Sequence, residues 1–330
     1  MANLLPSQNS SSHQDVKQEE HQETHQKLPE LISTLPKAKG WATPHVHYYQ
    51  GFWFGQPPLQ GIITVQKSFE ARPTDVFLMT VPKSGTTWFK ALLFTIMNRN
   101  RYDFHDHPLF TANPHECVPF LELYAMDNPN QRPDVSLLST HMPYTILPKS
   151  ILASGSPIVY VYRDPKDTFV SLWHFMSKLR PKELPPLVLE DAFEQFCSGK
   201  SPYGPFWDHV LGYWKASIEW PDRVMFIKFA DMKNDPIHHA KRMAEFISCP
   251  FSSEEENEGV IHKVIELCSF ENLSNLEVNK NGSYKAISDS KVQGKIFFRQ
   301  GKTGDWKNTL TTEMAEQIDG IIEQKLKDLV

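Results

Sequence analysis

A short apolar run meets a glycine loop at residues 75–88, and that junction leaves few folds open. Asp75-Val-Phe-Leu-Met-Thr-Val81 is rich in strand formers. Pro82-Lys83-Ser84-Gly85-Thr86-Thr87 follows at once, and Trp88, Ala91, Leu92, Thr95 and Ile96 then recur at helical spacing. Strand, loop and helix in this order put free backbone N–H groups and the positive end of a helix dipole beside a lysine. A phosphate binds readily there. Gly85 allows close backbone approach, Lys83 adds a full charge, and Thr86 and Thr87 add hydroxyl donors. This is not a Walker A loop, because Lys83 precedes Gly85 and no downstream Asp stands out as a metal holder. A capped helix start with a solvated lysine would give the same string.

The alternation continues along the chain. Val135–Thr140, Pro157–Tyr162 and Val224–Phe229 are further short apolar runs. Helical patterns cover Thr168 to Leu179 and Pro236 to Ile247, and also 206–219, 253–268 and 312–328. Buried strands separated by helices predict an α/β fold with a central parallel β-sheet flanked by helices. Ligands of such sheets bind at the carboxyl ends of the strands. Residues 1–27 are rich in Gln, Ser, His and Glu and predict a disordered polar tail. A single domain is expected over 28–330, opening with a short amphipathic helix at Leu28–Ile32. Trp41 to Phe54 is dense in aromatic rings, which either anchor a surface segment in the core or line a pocket for a flat ligand.

Composition removes several classes. The net charge is −5, without the basic surplus of a nucleic-acid binder. The longest apolar pieces resemble Ala91–Met97, well short of a membrane span. The N-terminus lacks a basic-then-apolar signal pattern and has no Arg before Arg72, which argues against secretion and transit. Cys117, Cys197, Cys249 and Cys268 lie without CxxC spacing. Reduced thiols in the cytoplasm and no metal site are therefore expected.

Three more segments could carry chemistry. Arg163 leaves a strand end and Ser171 sits eight residues on, along a helix; Arg suits bidentate phosphate contact. An ion pair and a satisfied helical hydroxyl would explain the two equally simply. His141 follows a strand end, where a general base belongs, although the chain has 14 histidines. Phe298-Arg299-Gln300-Gly301-Lys302-Thr303-Gly304-Asp305-Trp306-Lys307-Asn308 could wrap an anion or form an ordinary capped loop.

Together, in this order and spacing, the four segments resemble the cytosolic sulfotransferases, which transfer sulfonate from 3′-phosphoadenosine 5′-phosphosulfate (PAPS). Lys83–Trp88 is similar to the family's 5′-phosphosulfate loop. Arg163 with Ser171 resembles its 3′-phosphate site, and Phe298–Asn308 its Gly-Asp-Trp-Lys-Asn signature. Ser139-Thr-His-Met-Pro143 and Tyr49-Gln-Gly-Phe-Trp53 resemble the plant branch. The resemblance covers about residues 30 to 330. It implies that His141 is the base for an acceptor hydroxyl and that Lys83 stabilises the oxygen bridging sulfur and the 5′-phosphate. It implies that Ser84, Gly85, Thr86 and Thr87 cradle the 5′-phosphate, and that Trp88, Phe229 and Phe270 face the adenine. Arg163, Ser171, Arg299, Gln300 and Gly301 would hold the 3′-phosphate. The implied acceptor is a small hydroxylated molecule such as a flavonol, steroid or hydroxyjasmonate. Segments 41–56 and 102–124, read as loops, would help line its pocket. A homodimer stays open, since the stretch after Gly304 overlaps the family's dimer-contact region.

Two positions depart from the pattern. The family usually has Lys at position 300 and Tyr at position 229, where this chain has Gln300 and Phe229. A charged hydrogen bond nets about 1.5–3 kcal/mol, so Gln300→Lys is expected to tighten PAPS binding. A protein that holds PAP or PAPS without turnover, or less readily a P-loop small-molecule kinase, remains as an alternative.

Overall fold

The computed structural model describes residues 28–129, 131–287, 290–327 and 329, so the expected tail lies outside the described residues. Residues 28–34 form a helix and belong to a unit that ends at Pro36. A second unit runs from Lys37 onward and holds all the candidate site residues.

Strands β1 (Lys37–Lys39), β2 (His45–Tyr49) and β3 (Phe52–Gly55) form an antiparallel sheet. Segment 41–56 is thus largely a hairpin rather than a loop. The turn is Gln50-Gly51, with φ of 48° and 93°. Two left-handed residues match the twist of a two-residue hairpin. Half of the six aromatic rings of this segment anchor the core: Trp41, Phe52 and Phe54 are buried, whereas Tyr48 is exposed.

The central sheet is parallel, as expected. It contains β4 (Val76–Thr80), β5 (Leu137–Thr140), β6 (Ile158–Tyr162) and β7 (Val224–Lys228), in the order β5-β4-β6-β7. Every residue of β4 is buried. Successive side chains point to opposite faces. Val76 and Leu78 pack into a core with the helices Thr86–Asn98, Pro236–Phe246 and Val260–Leu267. On the other face Met79 meets the helix Phe206–Glu219, where the Tyr213 ring stacks on Tyr160 of β6 at 4.2 Å. β8 (Ser283–Ile287) and β9 (Ser290–Gln293) pair as a separate antiparallel ribbon.

Three boundaries moved for local reasons. The helix after β6 begins at Pro165, because Asp164 caps it through the N–H groups of Lys166 and Asp167. The helix expected over 253–268 is split by Gly259, whose φ is 68°. Phe229 opens a short helix, Phe229–Asn234, instead of ending β7.

Candidate active site

The four central strands end on the same side of the sheet, and each delivers one part of the site. β4 runs into Pro82–Gly85, β5 into His141, β6 into Arg163 and β7 into Phe229. A cavity of about 410 Å³ opens there. Every candidate residue lines it except Ser84, which is 1 % exposed and lies within the loop beneath.

The loop geometry is tight. Lys83 has φ of 73° and Gly85 has φ of 105°. A Cβ on Gly85 would sit 2.6 Å from the Phe229 ring. Gly85→Ala is therefore expected to destabilise the protein by at least about 1–3 kcal/mol. A thermal melt of the variant would show the lowered Tm, and an unchanged Tm would refute the strain. Gly301 repeats the device on the opposite wall. Its φ is 61°, and a Cβ would lie 2.4 Å from the Phe270 ring. Trp88 meets Phe229 edge-on with ring centres 5.5 Å apart. Trp88, Phe229 and Phe270 thus form an aromatic slot over two glycine backbones.

Cations converge beside this slot. Arg163 donates to the carbonyls of Lys83, at 3.1 Å, and Lys302, at 2.9 Å. Asp167 lies 3.9 Å from its guanidinium and also accepts from the N–H groups of Gly304 and Trp306. That carboxylate pins the 301–308 loop to the helix carrying Ser171. Arg299 is held by Asp305. Arg163 Nε, Arg299 Nε and Ser84 Oγ are buried without hydrogen-bond partners. The two orphaned guanidinium donors, on arginines that line the cavity, suit an anion with several oxygens. Gln300 is exposed and makes no contact of this kind among the described residues.

Lys83 lines the cavity and is half-buried. Burial lowers its pKa to about 7, with help from Arg163, Arg299 and Lys178. Its Nζ lies 4.1 Å from the centre of the Phe175 ring.

His141 is fixed on three sides. Its Nδ1 lies 2.7 Å from the Thr80 carbonyl, which can only accept, so Nδ1 carries the proton. Nε2 is then the basic nitrogen. Its backbone N–H donates to Glu122 at 2.9 Å, and His209 Nε2 donates to its carbonyl at 3.0 Å. Burial lowers its pKa to about 3, and the cations Lys90 and Lys83 push the same way. The imidazole is neutral across the physiological range.

Glu122 was not singled out in the sequence. Fully buried, it accepts from Thr140 Oγ1 at 2.7 Å and from Tyr203 at 3.3 Å as well as from His141. Burial raises its pKa. A lone carboxylate inside Val118-Pro-Phe-Leu-Glu-Leu123 was the available signal. Buried Lys90 donates to the Val118 carbonyl and stands 3.4 Å over Phe120. Of segment 102–124, His115, Phe120 and Leu123 reach the cavity; of segment 41–56, Trp41, Ala42, Thr43, Val46 and Gly55 do. Among the described residues no group of His, Cys, Asp and Glu could hold a metal ion, and no helix is long and apolar enough to cross a membrane.

A sequence model of the sulfotransferase domain matches residues 73–330. A cytosolic sulfotransferase of Arabidopsis thaliana is 46 % identical over 314 residues, covering 94 % of this chain and 93 % of its own. A flavonol 4′-sulfotransferase of Flaveria chlorifolia is 47 % identical over 307 residues, covering 91 % and 94 %. The solved structure of a putative steroid sulphotransferase of Arabidopsis thaliana superposes with a TM-score of 0.71 at 38 % identity, covering 98 % of both chains.

Proposed function

Because the chain belongs to the sulfotransferase family, we propose that its cavity binds PAPS and transfers the sulfonate to a hydroxyl of a small acceptor, with His141 as general base. The observation that carries this reading is the convergence of the β4, β5, β6 and β7 ends on one cavity. A neutral imidazole, a phosphate-type loop, an aromatic slot and a cationic end meet there in the order a nucleotide donor needs.

The roles follow from what each group can do. Ser84, Gly85, Thr86 and Thr87, at the start of the helix Thr86–Asn98, hold the 5′-phosphate through backbone N–H groups and hydroxyls. Lys83 stabilises charge on the bridging oxygen of the departing nucleotide. Trp88, Phe229 and Phe270 take the adenine. Arg163, Ser171, Arg299 and Gly301 face the 3′-phosphate; Gln300 stays outside that set. His141 Nε2 takes the acceptor proton while sulfur passes in line between two oxygens. Such transfer is governed by positioning and electrostatics.

The acceptor lies on the β5 side. Phe120 and Tyr203 stand against His141 there, and Trp41, Val46, Leu123 and Met176 add apolar lining, suited to a flat or ring-shaped phenol or alcohol. The named activities of the relatives point the same way, and their cytosolic class supports work in the cytoplasm. We treat residues 28–330 as one sulfotransferase domain.

Labelled PAPS offered with flavonols, steroids, hydroxyjasmonate and desulfoglucosinolates, in the presence of EDTA, tests the reading. A labelled product from wild type, and at least about a hundredfold less from His141→Ala, is expected. PAP binding without any product would favour a protein that holds the nucleotide without turnover, a reading to which Gln300 and Phe229 lend some weight. Activity that returns only with Mg²⁺ would revive the kinase reading.

A further inference from the structure

Lys233 was absent from the sequence candidates, yet it enters the cationic end of the cavity. It lies one helical turn beyond Phe229, in the short helix Phe229–Asn234. Its ammonium donates to the Gly301 carbonyl, next to Gln300, and its side chain lines the cavity with Arg163 and Arg299. Each arginine has a carboxylate beside it, Asp167 for Arg163 and Asp305 for Arg299. Among the described residues Lys233 has none. Burial and the neighbouring charges of Arg163 and Lys302 all lower its pKa. Lys233 is thus a cation held in a positive field, with one carbonyl as its partner and no anion supplied by the protein.

We propose that Lys233 supplies the ammonium that meets the nucleotide's 3′-phosphate, so that an exposed, neutral Gln300 is tolerated. The inference rests on the reading of the cavity as a PAPS site. The cation reaches the phosphate from the β7 side, while Gly301, at φ 61°, offers its carbonyl to hold the ammonium in place. A lysine anchored by a carbonyl keeps its charge and two free donors for a phosphate. With three cations around it, that phosphate would be bound with a steep dependence on salt.

A ligand cycle tests this directly. Dissociation constants are measured by calorimetry for PAP and for adenosine 5′-phosphate, which lacks the 3′-phosphate, on wild type, Lys233→Ala and Lys233→Gln. Wild type is expected to prefer PAP strongly. Both variants should weaken PAP about tenfold or more and leave adenosine 5′-phosphate unchanged. Gln300→Lys added to Lys233→Gln should restore PAP binding. Equal weakening of the two nucleotides would assign Lys233 to holding the 301 loop and overturn the inference. Unchanged PAP binding would overturn it too, while the PAPS reading would stand. A wild type that binds PAP no better than adenosine 5′-phosphate would instead defeat the PAPS reading, and this inference with it.

Discussion

His141→Ala is expected to lower kcat by about 10²–10⁴-fold while leaving the dissociation constant for PAP unchanged. The imidazole lines the cavity at the end of β5, against the Phe120 and Tyr203 rings. Its removal takes a proton acceptor and no nucleotide contact. The pH profile gives a second check. An ordinary histidine would lose its basic form as pH falls through about 6.5. Burial lowers His141 to about 3, so its basic form persists well below neutrality. The acid side of kcat/KM should therefore show no fall centred near 6.5. A fall there that disappears in His141→Ala would mean that the imidazole is solvated and protonates normally. Single-turnover kinetics with saturating PAPS separate the chemical step from binding.

Lys83→Ala is expected to reduce kcat/KM for PAPS by about 10²–10³-fold, the loss typical of one preorganised donor aimed at developing charge. Its titration has the opposite sense to that of His141. Here the protonated form is the useful one. Burial and three nearby cations lower its pKa to about 7 in the free enzyme, so the charge fades as pH rises through that value. kcat/KM for PAPS should then decline above pH 7. The bound polyanion draws the pKa back up, so kcat at saturation should decline only at higher pH. By linkage, PAP binding near pH 8 should take up part of a proton. Calorimetry in buffers of different ionisation enthalpy measures that uptake directly. No uptake between pH 7 and 9 would mean that Lys83 is already charged before the nucleotide arrives.

Much of this could be read in the chain because the informative contacts are local. Lys83 to Trp88 is a contiguous loop, and Arg163 and His141 each follow an apolar strand by one residue. The short apolar runs placed all four strands of the central sheet within about two residues. What stayed hidden depends on distance along the chain. Glu122 becomes meaningful only when Thr140, His141 and Tyr203 fold onto it. Asp167 ties the 301–308 loop across 137 positions to Gly304. Lys233 gains its partner only when the fold brings the Gly301 carbonyl against it. The hairpin at 45–55 was missed for another reason. Gln50-Gly51 carries the turn signal, but the aromatic run reads equally as a loop anchored in the core or lining a pocket, and its pairing shows only in the fold.

The lateral order β5-β4-β6-β7 differs from the order of the strands along the chain. It sorts the cavity into territories. In the proposed reading the donor-facing groups come from the segments after β6 and β7 and from the 299–301 loop, whereas Phe120 and Tyr203 stand against His141. The β4 loop joins the two, and His115 bonds Thr87 at 3.0 Å. Substitutions in the β5 territory can therefore reshape the second substrate's berth without disturbing the nucleotide's grip. A lineage built on this sheet can diversify its chemistry of acceptors while its currency of activated sulfate stays fixed. Swapping the 120–123 stretch between two such enzymes, with His115 left on Thr87, should carry acceptor preference with it and leave PAP affinity as it was.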